Sequence, residues 1–331
     1  MTSASSPQAE PVIWCNLALP PPLREALEAG VGKHRLIWSP LAAIGNNAGD
    51  APDPTLEQAD FAFGQPHAAQ CASLARLRWV HLSSAGYTSF AEPAIRTSLI
   101  ARGALLTTSS SVYAEPCAQH ALAFLLAHAR RLPASWQDQQ QTRSWPKSQL
   151  RREAQLLHRQ TVLLVGMGSI ARRLCALLAP FELEVIGFRR RPTGSEPVTT
   201  LPLEALDDHL PRADFVIDLL PGAIETNRLF SAERIRAMKP GSVFLNIGRG
   251  TTVDQDALVG ALTGGVLGAA YLDVTEPEPL PIDHPLWTAP NCTITPHTAG
   301  GHQNETERLV AHFLDNLARQ AAGQPLRDRV V

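Results

Sequence analysis

Thr161–Val165 is an unbroken apolar run. It leads straight into Gly166-Met167-Gly168-Ser169-Ile170-Ala171, and an amphipathic stretch follows to Leu178. Continuous apolar runs of this length mark strands buried on both faces. A strand that stops on such a turn and feeds a helix belongs in a parallel sheet with helices packed on it. The turn also leaves the first N–H groups of the helix without partners, and these attract an anion. Gly166 permits the tight turn, Gly168 lets a pyrophosphate approach the backbone, and small Ala171 permits close helix–strand packing. The segment reads as a dinucleotide fingerprint, with Gly166, Met167, Gly168, Ser169 and Ile170 binding the cofactor.

The same alternation runs through most of the chain. Val12–Asn16, Leu36–Ser39, Phe61–Gly64, Trp79–Ser83 and Leu105–Thr108 read as buried strands, with helices over Leu23–Ala29, Ala68–Arg76 and Pro93–Ile100. Asn46–Thr55, where Gly, Asp and Pro cluster, reads as a loop. A long helix is expected over Glu115–Arg130, stopped by Pro133. Ser135–Arg159, rich in Gln, Arg and Trp, is either a polar linker or an arm that packs on a partner subunit through Trp136 and Trp145. From Thr161 six strands are expected, the later ones being Glu184–Phe188, Phe215–Leu220, Val243–Ile247, Ala269–Val274 and Cys292–Thr295. Helices fit at Ile170–Leu178, Leu203–His209, Ser231–Met238 and Asp254–Thr263. Glu305–Ala321 is a final helix with no strand of its own. The fold class is α/β, with two doubly wound parallel-sheet domains, as a length of 331 residues also implies at about 150 residues per domain.

Composition narrows the function. Lys and Arg number 29 against 31 Asp and Glu, a net charge of −2. The basic excess of a nucleic-acid-binding chain is absent. No apolar run reaches the ~18 residues of a membrane span. Met1–Glu10 is small and polar, a tail rather than a secretory signal. The five cysteines are scattered and form no CxxC pair, which fits reduced core thiols, a cytoplasmic location and no metal site.

The second strand of a dinucleotide domain ends in an acid when the ribose 2′-hydroxyl is to be bound, roughly 20 residues beyond the first glycine. Here Arg189-Arg190-Arg191 stands in that place, with Arg189 23 residues beyond Gly166. A guanidinium pairs with a 2′-phosphate instead. NADP is therefore favoured, with NAD possible, and Arg189 and Arg190 join the cofactor residues.

Ligands of open parallel sheets bind at the carboxyl ends of the strands. Pro221 and Gly222 follow one strand there. Ile247-Gly248-Arg249-Gly250 follow another, Asp273 with Glu276 and Glu278 a third, and Pro296-His297 the last. Arginine can fork onto a carboxylate, histidine can move a hydroxyl proton near neutral pH, and a carboxylate can orient the imidazole. These types suit hydride and proton transfer between a 2-hydroxy acid and a 2-oxo acid.

The segments Val165–Ala171, Met238–Gly250, Val253-Asp254, Leu272–Leu280 and Pro296-His297 resemble the D-isomer-specific 2-hydroxyacid dehydrogenase family, densely from Tyr113 to Gly301 and less so before. The resemblance implies a catalytic trio of Arg249, Glu278 and His297, the acid lying five positions beyond Asp273. It implies cofactor contacts at Pro221, Thr226, Ile247, Gly248 and Asp273. It also implies a substrate loop at Ala85 and Gly86, with Arg249 and His297 touching substrate as well. It further implies a Rossmann cofactor domain over 111–302 and a discontinuous, flavodoxin-like substrate domain over 1–110 and 303–331. A dimerisation arm at 135–159 and a homodimer complete the picture. Arg189 departs from the common acid, Gln119 from a common Glu, and Tyr87 and Thr88 from the usual residues after the substrate loop. NADPH-dependent reduction of a glyoxylate- or hydroxypyruvate-like acid is the leading expectation. The alternatives are a dinucleotide-sensing, corepressor-like binding protein and a phosphite-type dehydrogenase. Glu278 argues against formate as substrate.

Overall fold

The computed structural model describes residues 10–43 and 51–331. The reading of Met1–Glu10 as a tail lies outside these residues except for Glu10, as does Asn46–Asp50 of the expected loop. The chain forms two compact units, Met1–Tyr113 with His302–Val331, and Ala114–Gly301.

The first unit carries β1 (Val12–Leu17), α1 (Pro21–Gly30), β2 (Arg35–Ala43), β3 (Phe61–Gly64), α2 (Ala68–Ser73), β4 (Trp79–Leu82), α3 (Pro93–Ala101) and β5 (Leu105–Thr107). The five strands are parallel, in the order β2-β1-β3-β4-β5. This is the flavodoxin-like order of a doubly wound sheet. Trp14, Ala62, Val80 and Leu106 fill one face. The last helix of the chain, Glu305–Ala321, covers the other, where Phe313 stacks on Phe63 with ring centres 4.2 Å apart.

A 20-residue helix, α4 (Ser110–Ala129), contains the division between the units. The second unit continues with α5 (Leu132–Gln141), α6 (Lys147–Glu153), β6 (Thr161–Val165), α7 (Ser169–Leu178), β7 (Glu184–Arg189), β8 (Thr200–Pro202) and β9 (Phe215–Asp218). Then come α8 (Ala232–Ala237), β10 (Val243–Asn246), α9 (Gln255–Thr263), β11 (Ala269–Leu272) and β12 (Cys292–Ile294); the last helix, α10 (Glu305–Ala321), returns to the first unit. The second unit's seven strands are parallel, in the order β12-β11-β10-β9-β6-β7-β8. The order reverses between β6 and β9, which is the Rossmann switch point. β6 is buried throughout, and Leu163, Val165, Phe188, Val216, Phe244 and Leu272 share one core.

The sequence expectations need four corrections. A short seventh strand, β8, lies at the sheet edge, where three half-exposed residues carry no apolar signal. Leu203–His209 is not an α-helix but a 3₁₀ turn over Leu203–Ala205, with a second over Leu210–Arg212. Pro211 withdraws an N–H and biases its predecessor away from helical backbone. Helix α4 starts at Ser110, five residues early, and carries Pro116 inside it. Ser135–Arg159, expected as a linker or an arm with no helices assigned, lies mostly in α5 and α6. All five cysteines are free, and among the described residues no helix is long and apolar enough to cross a membrane.

Candidate active site

Gly166 sits at φ +109°, and a Cβ there would lie 2.9 Å from the carbonyl of Leu219. Only glycine fits both demands. Its N–H donates to Phe188 O at 2.9 Å, which pins the turn to β7. Gly168 is the N-cap of α7, and a Cβ added there would meet nothing within 4 Å. An open glycine at a helix N-terminus is what a bound pyrophosphate requires. Ser169 and Ile170 open α7. Met167 turns inward, buried against Gly187, where any side chain would overlap its sulfur. Its side chain is a core element, so only its peptide group faces the turn's task.

Arg189 ends β7. Its Nη1 donates to Glu196 Oε1 at 2.7 Å, while Arg190 and Arg191 are exposed. Beyond β9, Thr226 Oγ1 donates to Pro221 O at 2.7 Å and accepts from Ala223 N at 3.0 Å, which closes the Pro221 loop on itself.

Arg249 is clamped by its two glycines. A Cβ on Gly248 would lie 2.7 Å from Leu220 O, and one on Gly250 would overlap the Thr275 carbonyl. The Arg249 carbonyl accepts from Asn246 Nδ2 at 2.9 Å and from Thr252 Oγ1 at 2.6 Å, and Ile247 before it is buried. Burial lowers the pKa of the guanidinium, and the nearby charges of Glu278, Cys117 and Asp218 oppose that.

Asp273, just past β11, organises the loop that carries His297. Its Oδ1 accepts from Thr295 Oγ1 at 2.6 Å and Thr298 N at 2.8 Å, and Oδ2 accepts from Ala299 N at 3.0 Å. His297 adopts φ +53° and donates its N–H to Asp273 O at 2.9 Å. Its Nδ1 lies 2.8 Å from Glu278 Oε2. The Thr275 N–H holds the other Glu278 oxygen at 3.1 Å. The Glu278 hydrogen bond raises the His297 pKa, against burial, and the Glu278 charge adds to it. Burial raises the Glu278 pKa, but the bonds from His297 and Thr275 outweigh it and leave the carboxyl below its ordinary value.

Three residues of this edge escaped the sequence reading. Asp218 is fully buried at the end of β9, accepting from Thr252 Oγ1 and from Leu220 N. Burial pushes its pKa up to about 7. A carboxylate ending an apolar strand was the available signal. His120 on α4 sits 3.3 Å from Thr295 Oγ1 and 3.9 Å from Asp273 Oδ1. A polar residue within a largely apolar helix was the available signal. Glu196 gave no local signal.

In the first unit, the loop Ser83–Gly86 follows β4. Ser84 Oγ donates to Gly86 O at 2.6 Å, and Ser109 N donates to Ser84 O at 2.9 Å. The N–H groups of Ala85 and Gly86 bond to no acceptor among the described residues. Tyr87 packs on the core of that unit, while Thr88 is exposed at the head of a 3₁₀ turn.

A seven-stranded parallel sheet with a glycine-turn cradle, and a half-buried arginine and a His–Glu couple on the same edge, defines an NAD(P)-linked oxidoreductase. The model of the D-isomer specific 2-hydroxyacid dehydrogenase NAD binding domain matches residues 122–299. The chain belongs to the D-isomer specific 2-hydroxyacid dehydrogenase family. It is 30% identical over 323 residues to the glyoxylate/hydroxypyruvate reductase B of Shigella flexneri, covering 95% of this chain and 96% of that one. It is 34% identical over 254 residues to the reductase of the same name from Citrobacter koseri, covering 75% and 76%. Its fold matches the D-isomer specific 2-hydroxyacid dehydrogenase of Xanthobacter autotrophicus, solved with NADPH and MES, at a TM-score of 0.77 and 26% identity over 98% of each chain.

Proposed function

We propose that this enzyme reduces a small 2-oxo acid of the glyoxylate or hydroxypyruvate kind to the D-2-hydroxy acid, with NADPH as its cofactor. The observation that carries the reading is the 2.8 Å contact between His297 Nδ1 and Glu278 Oε2. With Nδ1 committed to Glu278, Nε2 is the atom that moves the proton. The imidazolium protonates the substrate carbonyl oxygen from Nε2, and the neutral ring keeps its Nδ1–H on Glu278. Arg249 forks onto the substrate carboxylate and polarises the neighbouring carbonyl. In the first unit, the N–H groups of Ala85 and Gly86, which meet no acceptor among the described residues, suit an anionic group of a substrate. Bound NADPH supplies the hydride. The Gly166–Ile170 turn takes its pyrophosphate, Arg189 and Arg190 its 2′-phosphate, and Pro221, Thr226, Ile247, Gly248 and Asp273 border its nicotinamide half. Asp273 doubles as the positioning residue of the His297 loop.

The relatives' names support the substrate class, and NADPH in the Xanthobacter structure supports the cofactor. The arm over α5 and α6 supports a homodimer, since Trp145 is 84% exposed, a large apolar surface suited to a second copy. Reduced cysteines support a cytoplasmic enzyme. The test is NADPH oxidation at 340 nm with glyoxylate, hydroxypyruvate, pyruvate and phenylpyruvate, repeated with NADH. Turnover favouring NADPH, with glyoxylate and hydroxypyruvate ahead of pyruvate and phenylpyruvate, is expected. Cofactor binding with no turnover on any acid would overturn the reading.

A further inference from the structure

The segment after β7 already holds an anion of its own. Glu196 Oε1 accepts from Arg189 Nη1 at 2.7 Å, from Thr193 Oγ1 at 2.7 Å and from Thr193 N at 3.0 Å. Thr193 N also reaches the second oxygen at 3.3 Å. A guanidinium, a hydroxyl and a backbone N–H converging on one point are the donor types that hold a phosphate monoester. We infer that the Glu196 carboxylate occupies the 2′-phosphate subsite as an internal stand-in and must be displaced from Arg189 when NADPH binds, so that Glu196 sets how strongly the enzyme discriminates NADPH from NADH. The inference rests on the NADPH reading given above.

Several observations support it. Arg189 follows Phe188, whose carbonyl is gripped by Gly166 N–H, so the cradle adjoins the dinucleotide turn. Arg172 of α7 donates to Ser195 O at 3.3 Å and ties the loop to the same helix whose N-terminus faces the pyrophosphate turn. The Thr193 hydroxyl bond leads in holding the Glu196 pKa down at about 2, opposed by burial and reinforced by the Thr193 N–H and Arg189 bonds. The carboxylate is therefore charged at every working pH and competes with a phosphate under all of them. Arg190 and Arg191 supply uncommitted positive charge beside it, so the competition weakens phosphate binding without abolishing it.

The test compares 2′,5′-ADP with 5′-AMP, which differ only in the 2′-phosphate, by titration calorimetry on the protein. Arg189→Gln is expected to erase most of the wild-type preference for 2′,5′-ADP. Glu196→Gln keeps an oxygen for the Thr193 donors but removes the competing charge. It is expected to raise that preference about threefold to fivefold, the worth of one partly exposed ion pair. An unchanged or smaller preference in Glu196→Gln, with Arg189→Gln still losing its own, would overturn the inference and leave the NADPH reading standing. A preference unaltered by Arg189→Gln would overturn both.

Discussion

In the proposed reaction, His297 and Glu278 form a proton couple whose charge state decides when reduction can occur. Reduction needs the imidazolium, so turnover falls as pH rises through the His297 pKa. That pKa lies above its ordinary 6.5, chiefly because Glu278 accepts from Nδ1. Glu278→Gln removes the charge and weakens the bond, so the alkaline limb of kcat/KM for the 2-oxo acid is expected to move to lower pH. A limb in the wild-type position would take Glu278 out of the couple. Gly250 is a second critical residue. A Cβ there would overlap the Thr275 carbonyl, and the Thr275 N–H holds Glu278. Gly250→Ala should therefore cost about 1–3 kcal/mol of stability by overpacking and lower kcat at least tenfold; an intact thermal midpoint and turnover would contradict the clamp. The Gly–Arg–Gly string and the histidine after Pro296 were legible because each stands at a strand end where packing gives such residues no use. Asp218 and His120 were not, because each acquires its role from a partner on another element, and Glu196 was not, because an acid in a polar loop is ordinarily just solvated. Asp218 meets Thr252 34 residues away, and His120 meets Thr295 175 residues away.

At the scale of elements, continuous apolar runs made the central strands legible nearly to the residue. Helix starts were less so. The expected start of α4 was Glu115. The helix instead begins at Ser110, because Asp328 accepts from Ser111 N and Ser111 Oγ, both at 2.7 Å. The capping group comes from 217 residues away, so no local window contains it. His312 Nε2 lies 3.2 Å from the same carboxylate. Burial raises the Asp328 pKa, but the His312 and Ser111 bonds outweigh it, and the net shift is downward. A carboxyl with a depressed folded pKa stabilises above its unfolded value and loses that stability as pH falls through the folded one. Asp328→Ala is expected to cost about 1–2 kcal/mol at neutral pH, as the loss of a charged helix cap does. The deficit should shrink below about pH 4. Urea denaturation at both pH values checks this; equal stability at neutral pH would dismiss the cap.

Across the whole molecule, the two all-parallel sheets follow from their uninterrupted strands, and their strand orders follow from right-handed crossovers. The edge strand β8 was beyond reach because neither face is buried. The first unit should lose stability in acid. His81 in the first unit is fully buried, and burial drives its pKa down to about 3, with the His312 charge assisting and Asp328 opposing. The folded ring stays neutral while the unfolded one takes a proton near 6.5, so stability is full above that value and falls as pH drops toward 3. The slope is ~1.4 kcal/mol per pH unit for one such group. Hydrogen exchange should show the first unit losing protection between about pH 7 and pH 4.5; unchanged protection would contradict this. Light scattering is expected to give twice the monomer mass, with Trp145→Glu shifting it toward the monomer.

The central claim is that His297 Nε2 delivers the proton during NADPH-linked reduction of a 2-oxo acid. The most direct test is His297→Asn, measured for turnover of NADPH with glyoxylate and, separately, for NADPH affinity by fluorescence. The account predicts kcat lower by about 10²–10⁴, the usual worth of a positioned general acid, with NADPH affinity within about threefold of wild type. Turnover within a few fold of wild type would contradict it.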